Sequence, residues 1–186
     1  MAMGTLAKLL RDTTMAVPDL AVESDSASVL GVEVPTQDQD LWCWCAITVG
    51  VSRFFDPSFL LSQCETAAKV LDQADACSRP GDEDVNKMFA LDAALASFDR
   101  LLRRVDGRLS FEQLKREIDA GRPVGVRIRF QDSGQAHFTL IRGYRTEPAP
   151  MLAIDDPLYG ESTWSFAEFV DNYRGAGVWR QSYLTR

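Results

Sequence analysis

Apolar and polar positions change rhythm twice along the chain. Between Val29 and Pro35 they alternate, with Leu30, Val32 and Val34 on one side and Gly31 and Glu33 on the other, which predicts a short strand ended by the proline. From Cys43 to Phe55 the apolar residues stand nearly all round, through Trp44, Ala46, Ile47, Val49, Val51, Phe54 and Phe55. That pattern predicts a helix buried on most sides, stopped by Asp56 and Pro57. Ser58 is placed to cap a second helix to about Gln73, and Asp82 a third from Glu83 to about Arg100. Ser110, with Gln113 three residues on, forms a capping box for a fourth helix closed by Gly121. The period then returns to two. Val124, Val126, Ile128 and Phe130 alternate with Gly125, Arg127 and Arg129, and apolar-rich runs follow at Ala136 to Tyr144 and Met151 to Ile154. These are predicted antiparallel strands. Ser165 and Glu168 open a short helix to about Asn172, and Val178 to Leu184 returns as a closing strand. Helices first and strands second give an α+β fold of two lobes with a cleft between them. Residues 1–28, with Pro18 and the polar run Glu23 to Ser26, read as a tail or a pro-segment ahead of a domain over 29–186.

Composition narrows the functions open to such a fold. With 46% hydrophobic and 25% charged residues, the 186-residue chain has the make-up of an ordinary globular domain rather than of a disordered or coiled-coil protein. Its best apolar stretch, Leu41 to Val51, falls well short of the roughly 18 residues that cross a bilayer, so no membrane span is expected. The 20 basic and 27 acidic residues leave a formal charge of −7, which repels phosphate backbones and excludes nucleic acid as a partner. Leu9 and Leu10 run straight into Arg11 and Asp12, too short for a Sec signal, so a cytoplasmic place or export by another route is expected. Four cysteines are too few for a disulfide-dependent scaffold, although Cys64 and Cys77 can pair in an oxidising compartment. Cys43 and Cys45, with a tryptophan between them and no second pair, suit a tetrahedral zinc site poorly, and neither metal nor other cofactor is expected. The cluster Arg100, Arg103, Arg104 and Arg108 reads as the solvated end of the third helix.

The candidate chemistry is constrained by the presence of a single histidine, His137. A mechanism that needs an imidazole must use it. Cys43 opens the buried helix, where unpaired N–H groups and the macrodipole favour a thiolate, the reactive form of the side chain. An imidazole beside it can take its proton, and a carboxylate or amide behind the imidazole can orient the ring. His137 and Asp156 fit those two parts, with the neighbouring Asp155 as the rival carboxylate on the opposite side of the strand. Gln37, six residues before Cys43, is the candidate side-chain donor to an oxyanion, with Gln39 as its rival. Cys45, about 200° further round the helix, is expected to be structural.

These residues resemble the papain-like cysteine proteases. The resemblance is carried by Gln37, by Cys43 and Trp44 at a helix start, by His137 within Gln135 to Tyr144, and by Asp156 and Pro157 at a strand end. It is closest to the short bacterial branch that includes bacteriocin-leader peptidases and papain-like effector proteases. Gln63, Cys64 and Glu65 also look like that branch. The papain signature Cys-Gly-[Ser/Ala]-Cys-[Trp/Tyr] is absent, and Asp156 stands where papain has asparagine. The resemblance implies a papain-like two-lobed fold over 29–186 and a thiol peptidase acting on a peptide or protein substrate. In that scheme Cys43 is nucleophile, His137 base and acid, Asp156 the orienting residue and Gln37 the oxyanion donor. Trp44 reads first as a packing residue; in that family it shields the site, and on that resemblance it is the candidate substrate contact. Two other readings share the residues: acyl transfer, as in transglutaminases, deamidases and arylamine acyltransferases, and a non-catalytic peptide-binding protein.

Overall fold

The structure, a computed structural model, describes residues 26–186, so most of the expected tail lies outside the described residues. Its strands are β1 (Ala27–Val29), β2 (Leu101–Asp106), β3 (Val124–Phe130), β4 (Ala136–Arg145), β5 (Met151–Asp156), β6 (Gly160–Ser165) and β7 (Gly177–Thr185). Its helices are α1 (Cys43–Phe55), α2 (Gln63–Leu71), α3 (Leu91–Ala96), α4 (Phe111–Asp119) and α5 (Phe166–Asn172). The strands form one antiparallel sheet in the order β2-β7-β3-β4-β5-β6, with β1 paired to the far end of β4. This is the α+β arrangement expected, with helices dominating the first part and the sheet the second. Among the described residues no helix is long and apolar enough to cross a membrane.

Each face of the sheet carries its own core. On one, α1 lays Trp44, Ile47 and Val51 among Leu91 and Leu95 of α3, Ala67 of α2 and the sheet residues Phe138, Leu140 and Tyr183. On the other, Leu114 and Ile118 of α4 and Phe169 and Val170 of α5 pack with Val124, Val126, Ile128, Ile141, Ile154 and Leu184. Alternation along β3 and β4 feeds both cores, and that burial drives their association.

The expected helix over Cys43 to Phe55 forms with those bounds. So does the fourth, where Ser110 and Gln113 make the capping box and Gly121, at φ +73°, supplies the left-handed residue after the helix. Elsewhere local signals were overruled. Of the strand expected over Val29 to Pro35, only Val29 lies in a ladder, that of β1 at Ala27–Val29. The rest of it crosses α1 at Gly50, where a Cβ would lie 2.7 Å from the Glu33 carbonyl oxygen. The second helix starts at Gln63, because Ser62 and Glu65 form a reciprocal capping box whereas Ser58 spends its hydroxyl on Asp56.

The third helix, expected from Glu83 to about Arg100, shrinks to Leu91–Ala96. The Val85 and Lys87 carbonyls accept the indole N–H groups of Trp42 and Trp44, at 3.0 and 2.9 Å. Those two bonds anchor the segment to the start of α1, and the Val85 carbonyl also accepts the Lys87 N–H at 3.0 Å, a turn rather than a helical step. Upstream, Arg79 ties Asp75, Asp82 and Asp84 together, and Cys64 and Cys77 are joined in a disulfide, with Cα atoms 4.9 Å apart. The chain reverses at Asp99, with φ +59°, and enters β2. Arg103 and Arg104 therefore belong to an edge strand and not to a helix end, and Arg104 pairs with Asp92 and Asp106.

Candidate active site

Three tertiary devices bring the candidate residues together. The turn Gln39 to Trp42, closed by the Trp42 N–H donating to the Gln39 carbonyl at 3.1 Å, delivers Cys43 as the first residue of α1. The first N–H groups of that helix have no intrahelical partner. His137 is the second residue of β4, opposite Ile128 of β3. Asp156 ends β5, and Pro157 to Tyr159 turn back into β6.

The imidazole links the other two. His137 Nε2 lies 2.9 Å from Asp156 Oδ1, and the Cys43 thiol is near enough to favour the charged ring. All three residues are buried, Cys43 2% exposed and His137 8%. Burial alone would push the imidazole pKa down. The hydrogen bond and charge of Asp156 and those of Cys43 outweigh it and raise the value from 6.5 to about 9. Burial likewise pushes the Asp156 carboxyl up. Its bond and charge from His137, the Tyr173 hydroxyl and the Leu158 N–H more than offset this and hold it below the usual carboxylate range.

Asp156 is fully coordinated. Oδ1 accepts the Leu158 and Tyr159 N–H groups at 2.8 and 3.1 Å, and Oδ2 accepts the Tyr173 hydroxyl at 2.7 Å. Asp155, the rival carboxylate, faces elsewhere and accepts the Val34 N–H at 2.7 Å. Tyr159 stands edge-on to the imidazole, ring centroids 6.2 Å apart, and the Arg174 guanidinium lies 3.8 Å over the tyrosine ring. These two residues and Tyr173 escaped the sequence reading. Tyr173 lies 17 positions beyond Asp156, where no periodic signal links them, whereas the Asp-Pro turn itself hinted that the next N–H groups would fold back on the carboxylate.

Gln37 is tied to the same corner, its N–H donating to the Pro157 carbonyl at 2.9 Å. Its side-chain nitrogen donates to the Gln39 and Asp40 carbonyls, both at 2.8 Å, and so holds the turn that precedes Cys43. The buried Oε1 has no hydrogen-bond partner among the described residues. Gln39 takes part through its carbonyl, which accepts from both Trp42 and Gln37. Trp44, the candidate substrate contact, is completely buried and tilted against Phe89, with ring centroids 5.4 Å apart, the packing position that the sequence also allowed. Cys45 is buried too, donating to the Gln63 carbonyl at 3.1 Å, and burial, aided by the Asp38 charge, pushes its thiol pKa strongly up. A hollow at the surface opens onto Cys43 and His137, walled by Asp40, Leu41, Met88, Gln135, Leu158 and Tyr159.

An α+β fold in which a helix with a cysteine at its start faces an antiparallel sheet that carries a histidine is that of the papain-like class. Within that class the chain belongs to the Peptidase_C39-like family, whose model matches residues 31–182. Among solved structures it is similar to the crystal structure of the Pseudomonas avirulence protein AvrPphB, at 15% identity and a TM-score of 0.35, over 83% of this chain and 97% of that one. No curated protein matches the chain.

Proposed function

We propose that this protein is a cysteine peptidase in which Cys43 attacks the carbonyl of a peptide bond. The observation that carries the reading is the sole imidazole of the chain, bonded to Asp156 through Nε2 and near the Cys43 thiol, at the floor of an open hollow. His137 takes the thiol proton and is held as imidazolium by Asp156. The sulfur forms a C–S bond to the carbonyl carbon, and the oxygen takes up the negative charge. The C–N bond then breaks as His137 returns the proton to the leaving amine, leaving an acyl-enzyme. Water attacks the thioester with His137 as base, the C–S bond breaks, and the acid product departs.

The oxyanion requires donors where the charge develops. The main-chain N–H of Cys43 and the Gln37 amide are the proposed pair. Both hydrogens of that amide are engaged in the free protein, so a substrate oxygen must replace one acceptor. The bond to the Asp40 carbonyl is the exposed one and the one exchanged. Leu41, Met88, Leu158 and Tyr159, partly exposed around the hollow, suit an apolar side chain next to the scissile bond.

The test is turnover of a peptide library by wild type and by Cys43→Ala, read by mass spectrometry. New termini that appear only with wild type are expected. Products that keep their length but gain about one mass unit at glutamine identify a deamidase using the same acyl-enzyme. No wild-type product of either kind refutes catalysis and leaves a peptide-binding protein.

A further inference from the structure

Gln63 is left unemployed by the reaction scheme, yet it is 5% exposed and both ends of its side-chain amide are bonded. Its side-chain oxygen accepts the Asp38 N–H at 3.1 Å, and its side-chain nitrogen donates to the Thr36 carbonyl at 2.7 Å. One amide thus clamps the main chain immediately before and immediately after Gln37. The main-chain carbonyl of Gln63 meanwhile accepts the Cys45 thiol at 3.1 Å, two residues along α1 from Cys43. The first residue of α2 is therefore bonded at once to the loop that carries Gln37 and to the helix that carries Cys43. That helix start is itself braced, by the Ser62–Glu65 capping box and by the disulfide from Cys64 to Cys77. A primary amide is costly to bury unless both its ends are bonded, and an apolar side chain would fill the same space without that cost.

We propose that Gln63 is a positioning residue, which sets where the Gln37 amide lies relative to Cys43 by gripping the peptide units on either side of it. The role rests on the peptidase reading above and involves no contact with substrate. It acts on the oxyanion side of the reaction. The Cys43–His137 pair is built between α1 and β4 and does not pass through the Gln63 side chain.

The experiment compares Gln63→Leu, Gln63→Glu and Ser62→Ala with wild type, using a cleavable peptide and, separately, iodoacetamide labelling of Cys43. Gln63→Leu releases both grips, and its kcat is expected to fall about 10- to 100-fold with KM within about twofold. Gln63→Glu has nearly the same shape and keeps the acceptor for Asp38, but it sets a carboxylate oxygen against the Thr36 carbonyl in place of a donor, so its kcat falls as well. Ser62→Ala weakens the same helix start without touching 36–38; its Tm drops by about 3 °C while kcat stays at the wild-type value. Labelling displaces iodide at a saturated carbon and forms no oxyanion, so all three variants label Cys43 at the wild-type rate within about twofold. Wild-type kcat in Gln63→Leu overturns the proposal, as does a kcat loss in Ser62→Ala equal to that in Gln63→Leu. Labelling that slows in step with turnover overturns it too, by assigning Gln63 to general upkeep of the fold. A wild type that cleaves no peptide sinks the peptidase reading and this role with it, a result distinct from an active wild type with an equally active Gln63→Leu.

Discussion

Replacing Asp156 by asparagine keeps the shape behind His137 and removes the charge. The remaining side-chain oxygen can still accept the Leu158 and Tyr159 N–H groups that Oδ1 now takes, so the turn after β5 has no reason to open. The imidazole responds strongly. Raising its pKa from 6.5 to about 9 corresponds to about 3 kcal/mol in favour of the charged ring, and Asp156 supplies the leading part against the opposing effect of burial. With a neutral amide in its place, burial is opposed by Cys43 alone, and the midpoint should fall to about 7 or lower. Because the chain has one histidine, a single ring-proton resonance followed by NMR from pH 5 to 10.5 reads the value without assignment. Stability supplies an independent reading. The folded pKa of His137 lies above the unfolded one, so its contribution is complete below about pH 6.5 and vanishes as pH rises through about 9. Asp156 is held low, so its contribution is present above about pH 4 and is lost as pH falls through the depressed value. The Tm difference between wild type and Asp156→Asn should therefore be largest between about pH 4 and 6.5. A wild-type resonance that titrates near 6.5, or one left unmoved by Asp156→Asn, refutes the coupling on which the proposed chemistry depends.

Two further outcomes concern the cysteines. Iodoacetamide should label Cys43 at least about 100-fold faster than Cys45, whose thiol is fully buried and committed to the Gln63 carbonyl, and His137→Ala should slow the Cys43 reaction; peptide mapping after timed labelling measures both. Cys64→Ser opens the covalent loop between residues 64 and 77 and should cost about 3 kcal/mol in urea unfolding, with reductant added to wild type giving a similar loss.

What could be read from the sequence depended on how local the cause was. Helix α1 was legible to the residue, because its apolar surround and the Asp56-Pro57 stop lie within the segment itself, and so was α4, whose cap and terminating glycine are both local. The alternation in β3 and β4 survived because both cores reward it. By contrast, Glu83 to Ala90 has a helix-like pattern and is not helical; it is held instead by the indole N–H groups of the distant Trp42 and Trp44. Arg103 and Arg104 lie in an edge strand because β7 offers them partners at Leu184 and Tyr183, which no window of sequence contains.

The site divides along the same line. Residue chemistry alone picked out a cysteine at a helix start, the one histidine, an Asp-Pro pair and a preceding glutamine, since few side chains in this chain can act as nucleophile or base at neutral pH. Tertiary structure decided which carboxylate meets the ring, Asp156 and not Asp155, because successive residues of β5 face opposite ways. It also turned Trp44 inward, put the Tyr173 hydroxyl on Asp156 and set the Gln63 amide astride Gln37. Each of these is a hydrogen bond or a packing contact between segments far apart in the chain. A local pattern fixes the type of a side chain and the face it occupies, whereas its partner is chosen only when the sheet and helices close on one another.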